Sequence, residues 1–411
     1  MNRTKDIPGY LYGLDGLRAV SMLLIWMFHA FQQSWIFAVF PQNSAHHLIN
    51  LTLLQQYGYI AIDAFFVLSG FCLFYPIART MFEGTPFGGW KSFYYKRVKK
   101  IWPSYLFMLF VLLIVPALSY GTNDLHGWNY WKHFVYHVFF IHNISPETIG
   151  STISTAWTMA IEVQFYLVFP LFAWCMKKSP ALTLLGGTVL SHALRLYYAT
   201  KGDTSAFVQG NPLLYFDIFL WGMVAAYAVV WARNRCPNMK NTGVQSAMTV
   251  ASAAALGLLY QILRWMNEVS FGEITGAAAA TVFRFLYRPL IAFLFAAFLF
   301  AVSNSLPFWE KKVWGNRFFI FLSTISYNFY LWHQNVHIFF KEVVPQGIPA
   351  GMSDVATASL KTRWIYLGVT LMWSLIIAVF TTYLIEQPFA KYGFRGYVRY
   401  WKERITKKAA K

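Results

Sequence analysis

The sequence predicts an all-α, polytopic integral membrane protein, and three observations carry that expectation. Of the 411 residues, 57% are hydrophobic and only 12% are charged, against about 25% charged in a soluble globular domain. Runs of about 20 apolar residues follow one another along the chain, each long enough to cross a bilayer as a helix. The ten-residue alternating segments of a membrane β-barrel do not occur in the sequence.

Taken in order, the apolar runs place about ten spans, at 17–40, 58–76, 102–119, 157–176, 181–200, 213–232, 246–265, 282–303, 317–340 and 364–386. The first run contains His29, Gln32 and Gln33 and no small-residue cleavage site, so it reads as a retained helix and not a signal peptide. Residues 128–142, WNYWKHFVYHVFFIH, are too short and too polar to cross. They read as an interfacial helix anchored by Trp128, Tyr130 and Trp131. Residues 1–390 form one membrane domain, with no internal repeat or low-complexity linker, and 391–411 a basic tail.

Ten spans put both termini on one side. On that side fall the basic residues of the 77–101 loop (Arg79, Lys91, Lys96, Arg97, Lys99, Lys100), then Lys177 and Lys178, Arg233 and Arg235, Lys311 and Lys312, and the tail. The 41–57 loop on the other side has no basic residue. The positive-inside rule therefore places both termini in the cytoplasm. The net charge of +18 is explained by this topology, because the basic residues flank apolar runs and do not form a soluble nucleic-acid-binding surface. Cys72, Cys175 and Cys236 have no paired spacing, so neither a disulfide framework nor a zinc site is expected.

Ionisable residues inside spans are costly and mark function by default. Arg18 and His29 stand eleven residues apart in GLDGLRAVSMLLIWMFHAF. That is close to three helical turns, which puts them on one face and roughly 16 Å apart. Asp63 in GYIAIDAFFVLSGF and Glu162 in TAWTMAIEVQFYLVFP fall at a similar depth in other spans. Ser326, Tyr330 and His333, in ISYNFYLWH, share one face at i, i+4, i+7. Four helices thus each bring an ionisable group to about one level. Each residue also has a structural reading. Arg18 can snorkel and His29 can be a satisfied core histidine. Asp63 can pair with an arginine, and Glu162 can be a hydrogen-bond acceptor. Tyr330 and His333 can be interfacial aromatics. It is the coincidence of depth that favours function. His133 and His137 have metal-ligand spacing but no accompanying motif, and read as an interfacial pair, as does His142 with Glu147. Asp217 reads as a polar contact between helices. Lys96, Arg97 and Lys100, in YYKRVKKIWPSY, join Arg18 at the cytoplasmic mouth. There they serve topology or clamp phosphate groups.

At these motifs the chain resembles the acyltransferase-3 family of membrane acyltransferases, many of which O-acetylate bacterial envelope glycans. LDGLRA and the Arg18…His29 pair resemble the family's first helix, and IDAFFVLSGF its second. KRVKKIWPSY is similar to its arginine-rich loop, with Lys96 and Lys100 where arginines are usual. The Trp157…Glu162 segment, ISYNFYLWH and IEQPF complete the match over 11–389. Many relatives continue into an SGNH hydrolase-like domain, and this chain resembles the form without it. The resemblance implies acyl-CoA, most simply acetyl-CoA, as a cytoplasmic donor, and a glycan or lipid-linked sugar hydroxyl as acceptor. The phosphates would rest on Arg18, Arg97, Lys96 and Lys100. His29 would take the acceptor proton, with Asp63 or Glu162 orienting it, or would carry the acyl group itself. Ser326, Tyr330 and His333 would line the acceptor pocket. Neither metal nor bound cofactor is implied. The expected location is the cytoplasmic membrane of a bacterium. Two other readings stay open. One keeps the fold but takes a succinyl or longer donor, or a small lipid or macrolide acceptor. The other is a transporter or glycan exporter whose His and acidic residues relay protons.

Overall fold

The computed structural model describes residues 10–36, 39–40, 49–119, 128–153, 155–203, 205–270, 277–343 and 359–409. Within them the chain is almost wholly helical. Fourteen α-helices follow one another: α1 (Tyr12–Ser34), α2 (Thr52–Gln56), α3 (Ala61–Glu83), α4 (Gly89–Ser119), α5 (Trp128–Val138), α6 (Trp157–Lys178), α7 (Pro180–Lys201), α8 (Ala206–Gln209), α9 (Phe216–Arg235), α10 (Thr242–Ser270), α11 (Ala277–Ser303), α12 (Arg317–Val343), α13 (Leu360–Thr381) and α14 (Gln387–Ala409). The one strand pairing among the described residues is a two-residue antiparallel ladder after α1, between Val39–Phe40 and Ile49–Asn50. The protein is an all-α polytopic membrane protein. Six stretches are long and apolar enough to cross a bilayer by composition alone: Tyr12–Ser34, Gly58–Glu83, Trp157–Lys178, Phe216–Arg235, Thr242–Val269 and Leu360–Phe394. Of the expected spans, 102–119, 181–200, 282–303 and 317–340 fall outside that set. For α12 the reason is visible. It turns Ser323, Ser326, Asn328, His333, Gln334 and His337 into the protein, and these buried polar groups dilute its apolar character.

Contacts fix how the helices run relative to one another. Arg18 meets Ser323 and His29 meets His333, so α1 and α12 are parallel. On α3, Phe66 faces Tyr215 and Phe82 faces Tyr227, so α3 and α9 are also parallel. Arg195 with Asp217 and Gly187 against Leu220 make α7 antiparallel to α9. Asn328 with Glu386, and His337 with Tyr366, make α13 antiparallel to α12. The α3–α9 crossing is backbone on backbone: a Cβ on Gly70 would stand 2.0 Å from the carbonyl oxygen of Phe219, and one on Gly222 2.0 Å from that of Val67. Glycine is needed there so that the two helices can approach this closely.

Three boundaries differ from the sequence expectation. The basic stretch 91–100, expected in a loop, is the first part of α4, because nothing between Gly89 and Trp102 breaks a helix. The first span ends at Ser34 and not at 40, where Trp35 adopts a left-handed conformation (φ 51°) and its N–H caps the Phe31 carbonyl. The last span ends in a π-helical turn, Thr382–Glu386, and the basic tail continues as α14, which kinks at Gly393 (φ 70°).

Candidate active site

Between α1, α3, α4, α6, α12 and the π-turn lies a cavity of about 340 Å³. Its wall near the start of α1 is charged, with Arg18, Arg97, Lys100 and Glu386. Ile62, Phe65, Thr158 and Tyr330 line its other end. Glu162, Ser326, Cys72 and Tyr166 also line it.

Each lining group is set by a neighbour. Arg18 lies 3.5 Å from Ser323 Oγ and 3.6 Å from Cys72 Sγ. Ser323 in turn donates to Asp15 Oδ1 at 2.6 Å, so a buried carboxylate one turn before Arg18 orients it through a hydroxyl on α12. The Arg97 guanidinium lies 5.5 Å above both the Phe93 and Tyr166 rings, and its Nε has no partner among the described residues. Glu162 accepts from Ser69 Oγ at 2.7 Å and from the Tyr166 hydroxyl one turn along its own helix. Glu386 accepts from Asn328 Nδ2 at 2.7 Å, and the π-turn aims it into the cavity. Such turns recur at functional sites. Tyr330 and Thr158 share a 2.8 Å hydrogen bond across α12 and α6.

His29 and His333 lie just beyond the Tyr330 end. Their ring centroids are 5.1 Å apart, and His333 is 5.6 Å from Tyr330. His29 is half-buried and its Nδ1 lies 3.0 Å from Gln32 Oε1. Neither Asp63 nor Glu162 is a hydrogen-bond partner of His29. Asp63 is engaged elsewhere: its Oδ1 accepts from Arg288 of α11 at 3.1 Å, and the carboxylate is 1% exposed. Arg288 also lies 4.9 Å above the Tyr215 ring. Deeper between α7 and α9, Arg195 makes a two-pronged pair with Asp217, at 2.7 and 2.8 Å, both residues buried. Asp217 is therefore one half of an interhelical ion pair. Lys96 is exposed and does not line the cavity.

The structure thus brings Arg18, Arg97, Lys100, Glu162, Ser326 and Tyr330 to one cavity, sets His29 and His333 at its end, and keeps Asp63 and Lys96 off its wall. Sequence reasoning passed over Asp15, Ser323 and Glu386. Glu386 sits in the IEQPF segment, which was the available signal. On α5, His133 and His137 both reach Ser151 Oγ, at 2.7 and 3.4 Å; His137 has further partners. It is buried, hydrogen-bonds the Tyr105 hydroxyl at 2.8 Å and stacks on His142 at 4.0 Å. Burial, then the charges of His142 and His133, pushes it down to about 2, so it is neutral at physiological pH. Trp131 is exposed as an anchor should be, while the side chains of Trp128 and Tyr130 lie outside the described residues. Glu147 pairs with Lys132, whose hydrogen bond and charge hold its carboxyl below the usual range.

A cationic cavity thus lies inside a helical membrane domain, with a histidine pair beyond its Tyr330 end. The chain belongs to the acyltransferase-3 family, whose acyltransferase domain matches residues 11–385. It is 23% identical to the peptidoglycan O-acetyltransferase OatA of Listeria monocytogenes, over 96% of this chain and 58% of that protein. It is 24% identical to two proteins whose names carry the qualifier "putative". One is an O-acetyltransferase of Staphylococcus aureus, matched over 96% of this chain and 61% of that one. The other is the peptidoglycan O-acetyltransferase YrhL of Bacillus subtilis, over 95% and 56%. The chain therefore spans about three fifths of the length of these relatives. No solved structure matches it.

Proposed function

We propose that the protein moves an acyl group, most simply acetyl, from acyl-CoA to a hydroxyl of an envelope or secreted glycan. The observation that carries this reading is the polarity of the cavity, with three cations at one end and two imidazoles beyond the other. The donor enters from the cytoplasm of a bacterial cell. Its phosphates lie against Arg18, Arg97 and Lys100, since guanidinium and ammonium groups recognise phosphate oxygens. The pantetheine arm runs along the cavity past Cys72 and Ser326, and the thioester stops near Tyr330. Because a thioester is already activated, the protein supplies positioning and a base. Arg18 and His29 stand roughly 16 Å apart along one helix, a span suited to an extended pantetheine arm. His29 takes the acceptor proton as the hydroxyl attacks the thioester carbonyl. The C–S bond then breaks, and the thiolate is protonated as it leaves. Glu162, fixed by Ser69 and Tyr166, holds the wall of the acyl end.

Two measurements test this. Purified protein in proteoliposomes should release CoA from acetyl-CoA when the acceptor glycan is present. NMR of the cell-surface glycan should show an acetyl signal that disappears on deletion of the gene. Export of unmodified glycan by the proteoliposomes without loss of acetyl-CoA would refute the reading.

A further inference from the structure

The group that supports His29 is not one of the two carboxylates expected from the sequence. Asp63 is held by Arg288, and Glu162 by Ser69 and Tyr166. What does stand beside His29 is His333, ring to ring at 5.1 Å. His333 is fully buried. Its Nδ1 lies 2.8 Å from the Tyr330 carbonyl oxygen and 3.2 Å from that of Phe329. Carbonyls only accept, so Nδ1 carries the proton of the neutral ring and Nε2 carries a lone pair. That Nε2 is buried and has no partner among the described residues. With the Gln32 amide presenting Oε1 to Nδ1, His29 takes the same tautomer and leaves Nε2 to accept. In that arrangement two imidazoles lie side by side with both N–H groups spent and both Nε2 lone pairs unspent.

A buried acceptor with no donor is costly, and a donor or positive charge that arrives during the working cycle relieves that cost. Resting on the acyl-transfer reading, we propose that His333 is the positioning residue for His29. When the O–H bond of the acceptor breaks and an N–H bond forms on His29, the positive charge of the new imidazolium is stabilised by the Nε2 lone pair of the His333 ring beside it. The proton then passes from His29 to the departing thiolate, which restores the neutral pair. The interaction is absent in the resting protein and present once charge has developed on His29, the condition under which an interaction raises kcat. Among the described residues no carboxylate or ammonium group is a partner of His333, and the titratable groups around it are His29 from α1, Tyr330 and His337 on its own helix, and Tyr366 of α13, which is bound to His337. Of these, Tyr330 is already bonded to Thr158.

The test uses the full chain in proteoliposomes with acetyl-CoA and glycan acceptor. His333→Phe keeps the ring stacked on Phe329 and removes both nitrogens. The expected result is a 10- to 100-fold fall in kcat with an unchanged KM for acetyl-CoA. In addition, the acid limb of the rate profile should move to lower pH, because His29 loses a neighbour that favours its protonated form. A merely structural role would lower kcat without moving the limb, and that result overturns the proposal. His333→Gln, which returns an acceptor oxygen near the position of Nε2, should recover part of the rate. Recovery by His333→Asn and not by His333→Gln would overturn it as well. An independent check is the nitrogen-15 spectrum of histidine-labelled protein. His333 should be protonated at Nδ1 only, and protonation at Nε2 in the resting state contradicts the mechanism. Loss of acetyl-CoA turnover in every arm, wild type included, would refute the acyl-transfer reading itself and is thereby distinguished.

Discussion

Two polar clusters lie within the helical bundle, and they handle charge in opposite ways. Between α3, α7, α9 and α11, Asp63 meets Arg288 and Arg195 meets Asp217 at short range. Around them the helices close tightly, as Gly70 and Gly222 show. Between α1, α4, α6 and α12, Arg18, Arg97, Lys100, Glu162 and Glu386 face a void of about 340 Å³. There the salt-bridge pattern is absent among the described residues, and hydroxyls, amides and aromatic rings hold the charges instead. Charges that neutralise each other at contact distance fasten helices together. Charges held apart around empty space are available to something that enters. In the sequence both clusters look alike, as charges within or beside apolar runs, and only the partner tells them apart.

The contrast can be broken at either cluster. The largest effect belongs to His29→Ala, which should cut acetyl release from acetyl-CoA by about 10²–10⁴-fold, the usual worth of a general base. Insertion and acyl-CoA binding should stay near wild type, and retention of more than about a tenth of the rate would remove the base role. In the paired cluster, Arg195→Ala leaves Asp217 charged and buried, which should cost roughly 3–5 kcal/mol. Thermal unfolding in detergent would read this as a large fall in Tm. Replacing both partners by apolar residues of similar size should recover most of it, and failure to recover would mean the pair does more than fasten. Gly222→Ala should destabilise by about 1–3 kcal/mol, as overpacking does, because the new methyl meets a carbonyl. Smaller again is Glu386→Gln. Replacing this carboxyl in a cationic cavity should tighten acyl-CoA binding, by at most about 1–2 kcal/mol at charge separations of roughly 10 Å. Titration calorimetry would see this, and a weaker affinity would show that the Glu386 carboxylate contacts the ligand directly. Lys96→Ala, at an exposed position off the cavity wall, should change affinity by less than about two-fold.

Much of this was legible in the sequence, and the limit has a physical form. Apolar runs are local, so the helices could be read, and a fixed rise per residue placed Arg18 and His29 on one face. Partner choice is not local. Nothing near Asp63 in the chain announces Arg288, 225 residues away, and Arg195 in a fairly apolar helix gave no hint that Asp217 would claim it. Asp63 consequently looked equal to Glu162 until tertiary contacts separated them. The helical start of α4 was missed because basic residues between apolar runs look like a loop, although lysine and arginine are good helix formers. Glu386 was hidden for a different reason. It stands at the end of a span, where a regular helix would point it elsewhere, and the π-turn redirects it.

The parallel pairing of α1 with α12 bears on how the protein is made. Arg18 and Asp15 enter the membrane with the first helix, but Ser323, which joins them, is synthesised 305 and 308 residues later. At about 5–20 residues per second, that delay is on the order of 15–60 s. For that interval the nascent first helix holds a cation and an anion that its eventual neighbour cannot yet cover. Chains stalled before α12 should therefore be recognised by membrane quality control through this helix. Supplying the segment from Arg317 onward as a separate polypeptide should extend their lifetime in a pulse-chase measurement.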